Sequence, residues 1–157
     1  MNAETILFRL RRFLLGLSAL LFAGTFAELV FNNHTKEAVQ LIPFFLCLLG
    51  VTVVGLAFVH PQRTTLILLR VSMILIGLGS LVGLYEHVEN NVAFQFEILP
   101  SSSIIQLLNS ALGGANPLLP PLILAVAAAL AGAATYYHPA LAAESLTITR
   151  AKRYMPD

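Results

Sequence analysis

Four stretches of this chain are almost wholly apolar: residues 13–31, 38–59, 66–85 and 117–137. Each is close to the length at which a helix, rising about 1.5 Å per residue, crosses a hydrocarbon core of about 30 Å. A water-soluble domain of 157 residues, 57% hydrophobic and only 11% charged, has no interior large enough to hide that much apolar surface. The runs therefore predict an all-α fold, a four-transmembrane-helix bundle forming a single membrane domain over residues 1–157. Arg70 lies one turn inside the third run, near enough to its start for the side chain to snorkel to the interface.

The net charge of +1 says little as a sum and more as a map. With alternating spans, Arg9, Arg11, Arg12, Arg63, Arg70, Arg150, Lys152 and Arg153 fall on one side, and only Lys36 on the other. The opposite side carries Glu28, Glu37, Glu86, Glu89 and Glu97. By the positive-inside rule both termini and the short middle loop are cytoplasmic, as in a protein of a bacterial-type plasma membrane. The basic residues are short flanks rather than a patch, which argues against a nucleic-acid partner. The Arg-rich start and Thr25-Phe26-Ala27 follow the plan of a signal peptide, yet the run is read as a first span. Cys47, the single cysteine, sits in the second run and permits neither an intrachain disulfide nor a cysteine-based metal site.

Glu-x-Val-x-Asn-Asn occurs twice, at Glu28 to Asn33 and at Glu86 to Asn91. Each copy closes an apolar run that follows an arginine, Arg12 or Arg70, with the same sixteen-residue step from Arg to Glu. A second apolar run follows each copy, from Pro43 to His60-Pro61 and from Pro121 to His138-Pro139, both seventeen residues from Pro to His. These matches predict two parallel helical-hairpin repeats, residues 9–63 and 67–141, with a pseudo-axis along the membrane normal. Arg, Asn, His and Pro also favour span ends, so shared interface composition is the competing explanation.

The second half carries an extracytoplasmic insertion at residues 92–116, between the third and fourth helices. Residues 92–99 alternate apolar and polar side chains through Phe94, Gln95, Phe96, Glu97 and Ile98, the pattern of an extended strand. Beyond Pro100, Ser103 and Gln106 can form a capping box for a short helix through Leu112, with Gly113 able to end it. Ile104, Ile105, Leu108 and Leu112 share one face of that helix, which suits a position on the outer membrane surface or over the bundle. Small residues predict the close helix contacts: Ala19, Ala23 and Ala27, then Gly79 and Gly83, then Ala125, Ala128, Ala129, Gly132 and Ala133.

The candidate chemistry lies at both ends. Glu28 and Glu86 fall beside the small-residue stripes, and Asn32 and Asn90 follow one turn later. Brought together by the pseudo-axis, the two carboxylates could share a proton or hold a cation, with His87, Glu89 and His34 adding ligands. The alternative is that both glutamates end their helices among the headgroups. His60 and His138 occupy equivalent depths, the arrangement of a bis-histidine haem or pigment, but each precedes a proline that ends a span. No cofactor or metal is firmly implied, and no nucleophile elbow, zinc-protease pair or phosphate loop occurs. The expected function is a non-catalytic subunit or scaffold of a membrane complex, with a membrane-protein partner or self-association. A cation or small-ligand site for transport or sensing is the alternative, and cofactor binding the weaker one.

Overall fold

The computed structural model describes residues 2–35 and 38–142. Among the described residues α-helices follow in the order α1 (Ala3–Phe31), α2 (Ile42–Val59), α3 (Arg63–Ile98), α4 (Ile104–Gly113) and α5 (Leu119–Ala133). A 3-10 turn, Ala38–Leu41, leads into α2, and no strand occurs among the described residues. Three helical stretches are long and apolar enough to cross a membrane: Ala3–Phe31, Ala38–Val59 and Arg63–Ile98. The fourth apolar run forms a helix of 15 residues, about 22 Å long.

Local chemistry accounts for the helix ends. The Asn2 side chain accepts from the Thr5 amide at 2.9 Å and opens α1. Asn32 closes it, and Asn33 takes a φ of 48°, a left-handed conformation that asparagine tolerates. Pro43 in α2 and Pro120 in α5 occupy the first turn, where a missing N–H costs nothing. Pro61 follows α2, and Pro100 follows α3, blocking continuation of either helix. The Ser103–Gln106 box opens α4 as expected, with the Ser103 amide donating to Gln106 Oε1 at 2.7 Å.

Three sequence expectations need correction. Residues 92–99 are not extended, because α3 continues unbroken through Ile98. Five alternating residues are too short a pattern to overrule a helix that meets no Gly or Pro between Gly83 and Pro100. The third helix consequently runs for 36 residues rather than the twenty of 66–85, about 54 Å in all. The second Glu-x-Val-x-Asn-Asn therefore lies inside a helix, whereas the first ends one. Finally, the run 117–137 is helical only to Ala133, after which hydrogen-bonded turns carry the chain through Tyr137, at φ 49°.

Four helices surround one apolar core. α1 packs on α2 and α5, and α3 packs on the same two helices, while the backbones of α1 and α3 stay apart across the core. α4 packs on α3 alone. Phe22, Cys47, Val54, Leu69, Ile76, Ala127 and Ala131 are fully buried at the centre. The small residues of α5 that turn inward are Ala127, Ala128, Ala131 and Ala134, a face rotated from the expected one but sharing Ala128 with it. Gly50 supplies a close approach: a Cβ there would lie 2.8 Å from ring atoms of Phe22. The aromatic ring thus rests on the bare backbone of α2, a contact that only glycine leaves open.

Gly50→Val is expected to destabilise the protein by about 1–3 kcal/mol, the usual scale for overpacking a core. Gly55→Ala should change little, since a Cβ at Gly55 meets nothing within 4 Å. Thermal unfolding of both variants in mild detergent provides the check, and pairing Gly50→Val with Phe22→Leu should recover part of the loss.

Candidate functional site

The helix directions bring Arg9, Arg11, Arg12, Arg63 and Arg70 to one end of the molecule, and Glu28, Glu86, Glu89 and Glu97 to the other. Arg150, Lys152 and Arg153, and also Lys36 and Glu37, lie outside the described residues.

At the arginine end, α5 stops at Ala133 and the turn that follows it takes side-chain donors from two other helices. Arg11 Nη2 donates to the carbonyls of Tyr136 at 3.3 Å and Tyr137 at 2.9 Å. Arg70 donates from Nε to Thr135 Oγ1 at 2.8 Å and from Nη2 to the Thr135 carbonyl at 3.2 Å. The Thr135 hydroxyl in turn donates to the Gly132 carbonyl at 2.7 Å. Arg12 instead sits over the Phe58 ring of α2, 4.0 Å from its centroid. The positive groups thus meet neutral oxygens and an aromatic face at the negative pole of a helix.

Beside these contacts lies a cavity of about 230 Å³, with Arg11, Arg12, Phe58, Pro61, Leu69 and His138 among its lining residues. His138 reaches it, but His60 is an exposed residue at the end of α2 and does not line it. His138 Nδ1 accepts from the Ala140 amide at 3.2 Å, so that nitrogen carries no proton in this arrangement. Burial, and secondarily the charge of Arg11, holds the His138 pKa below its ordinary value.

At the opposite end Glu28 is half-buried, while Asn32, Glu86, Glu89 and Asn90 are exposed. Glu28 stands on α1 and Glu86 on α3, the two helices whose backbones stay apart across the core. The structure does bring His34 and His87 together, their rings stacked with centroids 6.4 Å apart and planes 22° apart. His87 Nδ1 is buried and without a hydrogen-bond partner among the described residues. Among those residues no three His, Cys, Asp or Glu side chains gather as a metal site would require.

The polar centre at this end is Asn91, which the sequence reading passed over in favour of Asn90. Asn91 is 1% exposed. Its Oδ1 accepts from the Asn116 amide at 2.8 Å and from Asn116 Nδ2 at 3.2 Å. Its Nδ2 donates to the Asn116 carbonyl at 2.9 Å and to the Ala111 carbonyl at 3.4 Å. Ser110 Oγ donates to the Asn91 backbone carbonyl at 2.9 Å. One side chain thereby fastens the end of α4 and the start of the α5 approach to α3. The available clue was position: Asn91 is the last residue before the insertion.

No protein-family model matches this chain, and neither a curated protein nor a solved structure is significantly similar to it.

Two outcomes follow. Asn91→Ala should cost about 1–3 kcal/mol, because buried partners lose their hydrogen bonds, whereas Asn90→Ala should be silent. Hydrogen exchange across residues 99–118 distinguishes them, with faster exchange expected only for the Asn91 variant. For His138, the unfolded chain takes up a proton more readily than the folded one, so its contribution to stability is whole above pH 6.5 and declines as the pH falls below it. A melting series from pH 7.5 to 5 should fall toward acid, and His138→Gln should flatten part of that slope.

Proposed function

We propose that this chain is a small polytopic integral membrane protein that crosses a bacterial-type plasma membrane four times and serves as a non-catalytic subunit or scaffold of a membrane complex. The observation that carries the reading is the partition of charge between the two ends of one packed set of apolar helices. In that arrangement the arginine end is cytoplasmic and the glutamate end faces out.

The short α5 fits a fourth crossing. Its first turn lies level with α3 at Gly83, where a Cβ would meet Pro121 at 3.7 Å. Its final carbonyls lie level with Arg70 and Arg11. Tyr136 and Tyr137 then sit where an aromatic belt forms. Equivalent arginines also reach nearby points on the partner helix, Arg12 over Phe58 in the first hairpin and Arg70 on Thr135, one residue before the counterpart of Phe58, in the second. That correspondence supports a duplicated hairpin.

The subunit reading draws on α4. Ser103 caps this helix firmly, it touches α3 alone, and Ile104, Ile105, Leu108 and Leu112 are all exposed on it. Such a face needs cover from another membrane protein or a second copy of the chain.

In a Cys47→Ser background, Ser101→Cys should react with a membrane-impermeant maleimide on intact cells, and Gln62→Cys only after lysis. The reverse labelling overturns the orientation, and release of the protein by alkaline carbonate overturns the membrane reading. Ile105→Asn/Leu108→Asn should reduce the detergent-solubilised particle to monomer size; an unchanged monomer in the parent protein contradicts the subunit role.

A further inference from the structure

We propose that the groove between α3 and α5 is a binding site for an anionic phospholipid, with the phosphate at Arg70 and one acyl chain laid along the groove. The proposal rests on the membrane reading above and adds to it a specific ligand.

The groove is shallow and open on its outer side, with a volume of about 560 Å³. Its floor and walls are Met73, Ile74 and Gly77 of α3 with Ala125, Ala129 and Gly132 of α5. Cβ atoms built at Gly77 and Gly132 meet nothing within 4 Å, so the absence of side chains there leaves volume that the helix packing itself does not use. From Ala125 to Gly132 the groove follows α5 for about 10 Å, and in the membrane reading this is the direction in which an acyl chain lies.

One end is charged. Arg70 lines it, together with Thr135 and the exposed Tyr136. The hydrogen bonds of Arg70 go to two neutral oxygens of Thr135, which orient the guanidinium without neutralising it. Seven residues separate Arg70 from the start of α3 at Arg63, a depth of about 10 Å. A cation at that depth beside an apolar groove is complementary to a phosphodiester whose chain extends from it.

The same geometry disfavours a second copy of the chain as occupant. Apart from Glu4, the described carboxylates lie at the opposite end, so a parallel neighbour brings none of them to Arg70. A phospholipid brings its anion and its apolar chain in the required order.

The test uses the full-length protein in neutral-detergent micelles, with phosphatidylglycerol or phosphatidylcholine of identical chains added, read by native mass spectrometry and thermal shift. Phosphatidylglycerol should remain bound and raise the melting temperature, and phosphatidylcholine should do neither. Arg70→Gln should weaken phosphatidylglycerol binding about five- to tenfold, the scale of one basic residue's attraction to an anionic lipid. Gly77→Leu, which fills the groove and keeps the charge, should weaken it similarly, while Arg63→Gln should not. Equal binding of both lipids, or equal loss with Arg63→Gln, overturns the site in favour of general surface charge. Protection by inorganic phosphate alone overturns the acyl-chain contact. Loss of a copurifying protein rather than of lipid from the Gly77→Leu variant assigns the groove to a partner helix and overturns the proposal. Carbonate extraction of the same variants separates the two failures: retained membrane insertion with no lipid preference sinks the site alone, and loss of insertion sinks the membrane reading.

Discussion

Two guanidinium groups hold the turn that follows α5. A chain leaving a helix presents carbonyls with no regular partner, and in apolar surroundings such groups must be satisfied from elsewhere. Arg11 of α1 and Arg70 of α3 reach the carbonyls of residues 135–137 from two sides. Hydrogen bonds from charged donors are worth about 1.5–3 kcal/mol each, ample to hold a chain that abandons helical geometry at Ala133. The consequence reaches across the fold. The backbones of α1 and α3 stay apart, and in the turn after α5 their arginines act on one segment.

The other end is fastened differently. α3 overshoots its neighbours, and its last turns would stand alone without α4 folded back against them. Asn91 makes that return possible by serving donors and acceptors on residues 111 and 116 at once. Gly114 allows the approach, since a Cβ there would collide with the Asn91 amide. The basic end is therefore held by charged donors on carbonyls, and the acidic end by a neutral amide. A carboxylate could not replace that amide, because it lacks the donor that Nδ2 supplies.

Much of the architecture was legible in the sequence, because apolar length, proline and capping residues act locally. The runs gave α2 nearly to the residue, Pro43 and Pro121 marked where hairpin partners begin, and Ser103 with Gln106 announced α4. What stayed hidden depended on contacts between distant segments. Nothing in residues 117–137 alone says that arginines 65 and 125 residues earlier will take over its last carbonyls. Two identical Asn-Asn pairs likewise carry no local sign that one leaves a helix and the other lies within it. Their difference is made downstream: a turn into α2 follows the first, and an insertion that must be anchored follows the second. Among the candidate site residues, the stacking of His34 on His87 also depends on how the α1 end meets α3, which spacing along the chain does not reveal.

The disposition of polar groups bears on what kind of protein this is. Ser18 and Ser80 turn their hydroxyls back to the carbonyls of Leu14 and Ile76 on their own helices. Thr135 and Asn91 join separate segments. Thr25 Oγ1 and His87 Nδ1 are buried with no partner among the described residues, whereas Ser18, Ser80, Thr135 and Asn91 are committed to backbone carbonyls or to neighbouring side chains. Contacts of that second kind hold a shape. Two apolar surfaces stay open beside them, the α4 face and the α3–α5 groove, with a charge at one end of the groove.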